Sequence, residues 1–224
     1  MTDQLKIWLT AFVVTAAVVI LCYFYVDRPV AFYAHAHLVP NRFYFDLLTR
    51  IAEYLFVAAA VLFALFGMRT LVTKHWGKWQ AAALLSGVSL SVAETIKDEL
   101  KFAFGRTWPE TWLNNNPSLI GNGTYGFHPF HGGGGYASFP SGHTTAVCAV
   151  AAVLWFAYPK LRPLWVLAVV AVVVGLIGAD YHFVSDIVAG DFLGASTGWL
   201  AFIVWEEGTL PKLGPSRAPD HCNG

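Results

Sequence analysis

The sequence predicts an all-α membrane protein: a bundle of six transmembrane helices, with both termini cytoplasmic and the chemistry-bearing loops on the outer face. Three observations predict it. Of 224 residues, 56% are hydrophobic and only 12% charged, about half the roughly 25% charge of soluble domains. The apolar residues arrive in nearly uncharged blocks of about 20, the length that crosses a bilayer. The basic residues, finally, are unevenly divided between alternate connections. The same composition excludes collagen-like, disordered and coiled-coil chains, and a net charge of zero excludes the clustered basic surface that nucleic acid requires.

The spans fall at residues 7–26, 51–71, 79–104, 143–158, 164–178 and 187–205. Apolar runs of this length are helical because hydrocarbon offers the backbone no other partner. The first follows Lys6 and resembles a secretory signal, yet it is long and leads into Asp27 and Arg28 without a small-x-small cleavage site, so it reads as an uncleaved span. The fourth and fifth are short, which implies tilt or extension into the flanking turns. Residues 1–208 form one membrane domain and 209–224 a flexible polar tail. Cys22 and Cys148 lie in apolar blocks and Cys222 in the tail, a pattern that suggests neither a disulfide framework nor a metal knuckle.

Orientation follows from the basic residues. With the N-terminus inside, the inner face holds Lys6, Arg69, Lys74, Lys78, Lys160, Arg162, Lys212 and Arg217, against Arg28, Arg42, Arg50 and Arg106 outside, with Lys97 and Lys101 near the outer end of span three. That bias favours cytoplasmic termini and puts the long connection 105–142 and the short one 179–186 on one outer face.

Those two connections carry the unusual residues. Pro140, Ser141, Gly142 and His143 precede span four. Ser141 is placed to cap the helix, Gly142 permits close backbone approach, and free amides together with the helix dipole favour an anion such as phosphate. His143 is placed to protonate a departing oxygen; a capped helix with an interfacial histidine is the plainer alternative. His182 and Asp186 are four residues apart, on one helical face, where a carboxylate can hold one imidazole nitrogen and leave the other basic and nucleophilic. An interfacial hydrogen-bonded pair is the alternative there. The end of span three gathers Glu94, Lys97, Asp98, Glu99 and Lys101, then Arg106 and Trp108-Pro109. Ionisable groups beside a span are expensive and usually functional; Lys101 and Arg106 are the candidate phosphate ligands, while Glu94 with Lys97 and Asp98 with Lys101 can also neutralise each other.

Together these residues resemble the type 2 phosphatidic acid phosphatase (PAP2) family of integral membrane lipid phosphatases, whose signature is K-x6-R-P, P-S-G-H and S-R-x5-H-x3-D. The resemblance runs from about Lys101 to Asp186. It implies a nucleophile at His182, oriented by Asp186, a general acid or base at His143, and phosphate binding by Lys101, Ser141 and Gly142. Both signature arginines are missing: Trp108 and Leu176 stand at their positions. Bidentate arginine contacts are not replaced by an apolar side chain, and Arg106 is the expected substitute for the first.

The loop 108–139 contains Trp112, Asn114, Asn115, Asn116, Tyr125, His128, His131 and the run Gly132 to Gly135. Its aromatics suit a lid against lipid headgroups, and its glycines allow amides to approach a phosphate or the lid to move. His128 and His131 are expected to make polar contacts, including to the headgroup. No metal site is expected, because no carboxylate or cysteine accompanies these histidines at a ligand spacing. The formal glycosylation acceptor at Asn122 is a three-residue match of little weight.

The resulting expectation is metal-independent, cofactor-free hydrolysis of a lipid phosphomonoester or pyrophosphate through a phosphohistidine. Two rivals are kept: a lipid phosphotransferase using the same His and Asp, and a non-catalytic lipid-binding protein. The expected partners are the lipid phosphate and membrane lipids, and the expected setting is a bacterial inner membrane with the site facing the periplasm.

Overall fold

The computed structural model of the chain describes residues 3–73, 77–112 and 114–208. The expected tail at 209–224, and Lys74, Lys212 and Arg217 of the orientation argument, lie outside the described residues. Among the described residues the architecture is helical: α1 (Asp3–Leu21), α2 (Asp27–His37), α3 (Arg42–Thr73), α4 (Lys78–Phe104), α5 (Leu119–Asn122), α6 (Gly142–Ala157), α7 (Arg162–Gly178) and α8 (Val184–Glu207).

Helices α4, α6, α7 and α8 begin and end within a few residues of the expected spans. The first differs: α1 continues through a π-helical turn, Cys22–Val26, into α2. The polar residues after Val26 do not stop the helix, because Asp27, only 1% exposed, turns its carboxylate inward to partners on other elements. Such π-turns often mark functional positions in helices. The second also starts earlier, at Arg42.

Among the described residues, four stretches are long and apolar enough to cross a membrane: Asp3–His37, Val39–Arg69, Pro159–Gly178 and Val184–Glu207. Helix α6 has 16 residues, about 24 Å at 1.5 Å per residue, and is largely buried against α3, α4, α7 and α8. Helix α4 is long enough at 27 residues but carries Glu94, Lys97, Asp98, Glu99 and Lys101 toward one end.

The core surrounds α6. Val147 and Cys148 pack with Ala52 of α3, Val172 and Leu176 of α7 and Ile187 of α8. Val153 and Ala157 pack with Ala81, Ala82 and Leu85 of α4. Helix α1 buries no side chain and leans on α8 through Trp8, whose indole N–H donates to Ser196 Oγ at 3.1 Å. Its outward apolar residues, Ile7, Phe12 and Val13 among them, suit a lipid surround.

Contact between α6 and α8 decides where the site forms. Gly190, Gly194 and Gly198 recur every four residues on the face of α8 that meets α6. A Cβ at these positions would lie 2.3 Å from Thr144 Oγ1, 2.3 Å from Thr145 O and 2.6 Å from Ala152 Cβ respectively. Only hydrogen fits, as in small-residue helix interfaces of membranes. This close approach brings the N-terminal end of α8 beside that of α6, where the Ser141 N–H donates to Asp186 O at 3.0 Å.

Candidate active site

His182 sits on the turn between α7 and α8. The Tyr181 N–H donates to Leu176 O at 2.9 Å, and Asp180 takes the left-handed conformation with φ +54°, so the chain reverses within a few residues. Asp186, one helical turn on, is fully buried, and His182 is 6% exposed. The His182 Nδ1 faces Asp186 Oδ2 at 3.5 Å. That oxygen also accepts from Ser138 Oγ at 2.6 Å and from the Phe183 N–H at 3.1 Å. A carboxylate facing Nδ1 keeps the proton on that nitrogen and leaves Nε2 free. Burial holds the His182 imidazole below its ordinary pKa, with Asp186 opposing the shift and Lys101 adding to it. Ser138, also 3.4 Å from Nδ1, is a site residue that sequence reading missed.

Arg106 departs from its expected place. Gly105 ends α4 at φ +56°, where a Cβ would meet His128 O at 1.9 Å, so glycine alone permits the reversal. That reversal turns Arg106 inward, to 0% exposure. One guanidinium nitrogen donates to Ser185 Oγ at 2.5 Å and Asp186 Oδ1 at 2.6 Å, the other to Asp27 Oδ2 at 2.7 Å. Asp27 also accepts from the Ser185 hydroxyl and, at 2.9 Å, from the Ser185 N–H. Arg106 thus lies behind the aspartate rather than on the cavity wall, because two buried carboxylates claim its charge. Asp27 was not legible as a site residue, since it lies 79 residues from Arg106.

The cavity itself has a volume of about 780 Å³ and is lined by Lys97, Lys101, Gly142, His143 and His182, with Trp108, Trp112, Glu53, Glu94 and Arg42 around them. The rings of His143 and His182 are 6.5 Å apart, and His143 Nε2 is 3.9 Å from Glu53 Oε1. Lys97 is engaged by Glu94 at 2.5 Å, as the self-neutralising alternative expected, and by Asp98 at 3.1 Å, so Asp98 pairs with Lys97 and not, as expected, with Lys101. Lys101 instead points across the Trp108 ring, 5.9 Å from its centroid.

Ser141 occupies the N-cap position, but its side chain makes no capping bond; its hydroxyl is buried without a partner. Because its N–H is committed to Asp186, the amides left without an intrahelical acceptor are those of Gly142, His143 and Thr144, the first turn of α6. His128 and His131 are not brought to the cavity: both pack on Tyr136, with ring centroids 5.2 Å and 4.3 Å away.

The two positions lacking arginine resolve differently. The Trp108 ring stands 5.0 Å from the His182 ring, pinned by its indole N–H to Gly134 O at 2.7 Å. Leu176 is fully buried in the core. A cation does reach the cavity from α3: Arg42 bonds Tyr181 Oη at 2.7 Å and stacks on Trp112 at 4.3 Å. In the sequence it enters only the balance of charges that sets orientation.

A helical bundle that holds an oriented histidine, a second histidine and cations around one cavity defines a membrane protein with a phosphate-suited site. The model of the PAP2 superfamily matches residues 80–209, and the chain belongs to that superfamily and is an integral membrane protein. It is similar to the lipid A 1-phosphatase of Rhizobium etli, 30% identical over 142 residues, which are 63% of this chain and 57% of the relative. It is 32% identical over 121 residues to that of Rhizobium johnstonii, 54% of this chain and 47% of the relative. The chain therefore spans about half the length of the curated relatives it matches. Its fold is similar to the crystal structure of the PAP2 type phosphatidylglycerolphosphate phosphatase from Bacillus subtilis, with a TM-score of 0.57, 20% identity, and coverage of 90% of this chain and 94% of the other.

Proposed function

We propose that the chain is a membrane lipid phosphatase that hydrolyses a phosphomonoester or pyrophosphate through a phosphohistidine on His182. The observation that carries this reading is the His182 Nδ1–Asp186 contact at 3.5 Å beside a cavity that His143 and Lys101 also line. His182 Nε2 attacks phosphorus, and the bond from phosphorus to the lipid oxygen breaks. Lys101 and the free amides of Gly142 and His143 stabilise the equatorial oxygens, with the unpartnered Ser141 hydroxyl as a further donor. His143, whose Nε2 lies 3.9 Å from Glu53 Oε1, gives its proton to the departing oxygen. A water then attacks the phosphohistidine, surrenders a proton to His143, and frees inorganic phosphate and His182.

Arg106 has a different role from the one expected of it: with Asp27 and Ser185 it positions Asp186. Arg42, which lines the cavity, is assigned to the substrate's polar headgroup. All six helices of the bundle cross the membrane in this reading, both termini lie in the cytoplasm, and the cavity opens at the outer leaflet of a bacterial inner membrane.

The names of the Rhizobium relatives make a lipid A 1-phosphate the first substrate to test, followed by phosphatidate, phosphatidylglycerophosphate and a polyprenyl pyrophosphate. Purified full-length protein in detergent with EDTA releases inorganic phosphate from at least one of these, and His182→Ala does not. Equal release by the variant sinks the reading. Transfer to a second lipid without free phosphate selects the phosphotransferase, and binding without turnover the non-catalytic protein.

A further inference from the structure

A second polar cluster lies outside the cavity on the same outer loops. His35 of α2, Glu110 after Trp108-Pro109, and Asp180 in the turn before His182 bring one ligand atom each within 4.8 Å of one another. His35 Nδ1 is 2.6 Å from Glu110 Oε2. Asp180 is 2% exposed, and its Oδ2 has no hydrogen-bond partner. Two acids close together, one of them buried with an oxygen that has no partner, call for a positive charge. Arg42 does not supply it by contact: its guanidinium bonds Asp46 and Tyr181.

We propose that His35, Glu110 and Asp180 form a binding site for one divalent transition-metal ion of the Zn²⁺ or Mn²⁺ kind. One imidazole and two carboxylates are the donors such ions accept, whereas Mg²⁺ and Ca²⁺ take oxygen throughout. The spacing fits: two bonds of about 2.0 Å at a tetrahedral angle put ligand atoms about 3.3 Å apart, so the contact between His35 and Glu110 opens slightly and Asp180 closes in. His35 is exposed and Glu110 partly so, which leaves a path for the ion and an open position for water. The ion is structural. It ties α2, the start of the outer loop and the turn carrying His182 into one unit, while phosphoryl transfer runs on the cavity residues.

The test uses the full chain in detergent, stripped with chelator and titrated with Zn²⁺ alone, without lipid substrate, so its outcome is independent of the phosphatase assay. The native protein binds about one equivalent and gains thermal stability on binding. Glu110→Gln, Asp180→Asn and His35→Ala each weaken binding at least about ten-fold. His35 is exposed, so His35→Ala folds normally and separates ligand loss from misfolding. Metal-free Asp180→Asn melts no lower than the metal-free parent, because a group of the same size replaces a buried carboxyl whose Oδ2 has no partner, but it loses the Zn²⁺-induced gain. Binding or a thermal gain equal in the parent and all three variants overturns the site, as does the absence of any Zn²⁺ binding by the parent.

Discussion

At the scale of single residues the site depends on how buried charge is shared. Asp186 receives Arg106, Ser138 and the Phe183 amide as donors while facing His182. Arg106→Ala strands Asp27 and Asp186, and removing one partner of a buried ion pair costs about 3–5 kcal/mol; the variant is expected to melt much lower. Lys101→Ala is expected to melt near the parent and to lose about 100- to 1000-fold in kcat/KM, the loss typical of one electrostatic donor. Thermal denaturation and kinetics on both variants check the division; an Arg106→Ala protein of parental stability with impaired phosphate binding would return Arg106 to the phosphate. A histidine base held below its ordinary pKa of about 6.5 stays neutral as pH falls through that value, so the acid limb of kcat/KM lies below it. A limb above 6.5 that persists in slowly reacting substrates would contradict a buried, neutral His182 nucleophile.

At the scale of elements, the glycine face of α8 brings the two halves of the site together. Gly194→Leu drives a side chain into Thr145 O and the Ala149 N–H, positions a Cβ would already meet at 2.3 Å and 2.8 Å. The variant is expected to lose both stability and turnover, by separating Asp186 from Ser141, while Ala195→Leu one residue along is tolerated; equal effects would show that the close contact is not what assembles the site. The four-residue spacing of Gly190, Gly194 and Gly198 is present in the sequence, inside an apolar block that also reads simply as a span. His143, His182 and Asp186 were legible because each pair's geometry is local, a helix start or a four-residue step. The partners of Arg106 were not, because Asp27 and Asp186 lie 79 and 80 residues away and only the fold joins them. His35, Glu110 and Asp180 were invisible for the same reason. The run of α1 into α2 was hidden by Asp27 and Arg28, which read as the end of a span until the burial of Asp27 is known.

At the scale of the whole molecule, low charge content left few residues to set orientation, and their placement argues for inner termini. In a Cys222→Ser background, Gly133→Cys in the outer loop is expected to react with a membrane-impermeant maleimide in intact cells, and Lys160→Cys only after permeabilisation; the opposite pattern would invert the topology. In the proposed orientation the cavity faces lipids of the outer leaflet, with Lys101, His143 and His182 on its wall. Whether His182 is the nucleophile is the most direct question to put to this arrangement. Protein quenched during turnover of a lipid phosphate, kept from acid and digested for mass spectrometry, is expected to carry a phosphate on the peptide containing His182, and Asp186→Asn to lower its yield. Robust turnover with no phosphate on that peptide, or with the label on another residue, would contradict the proposed chemistry.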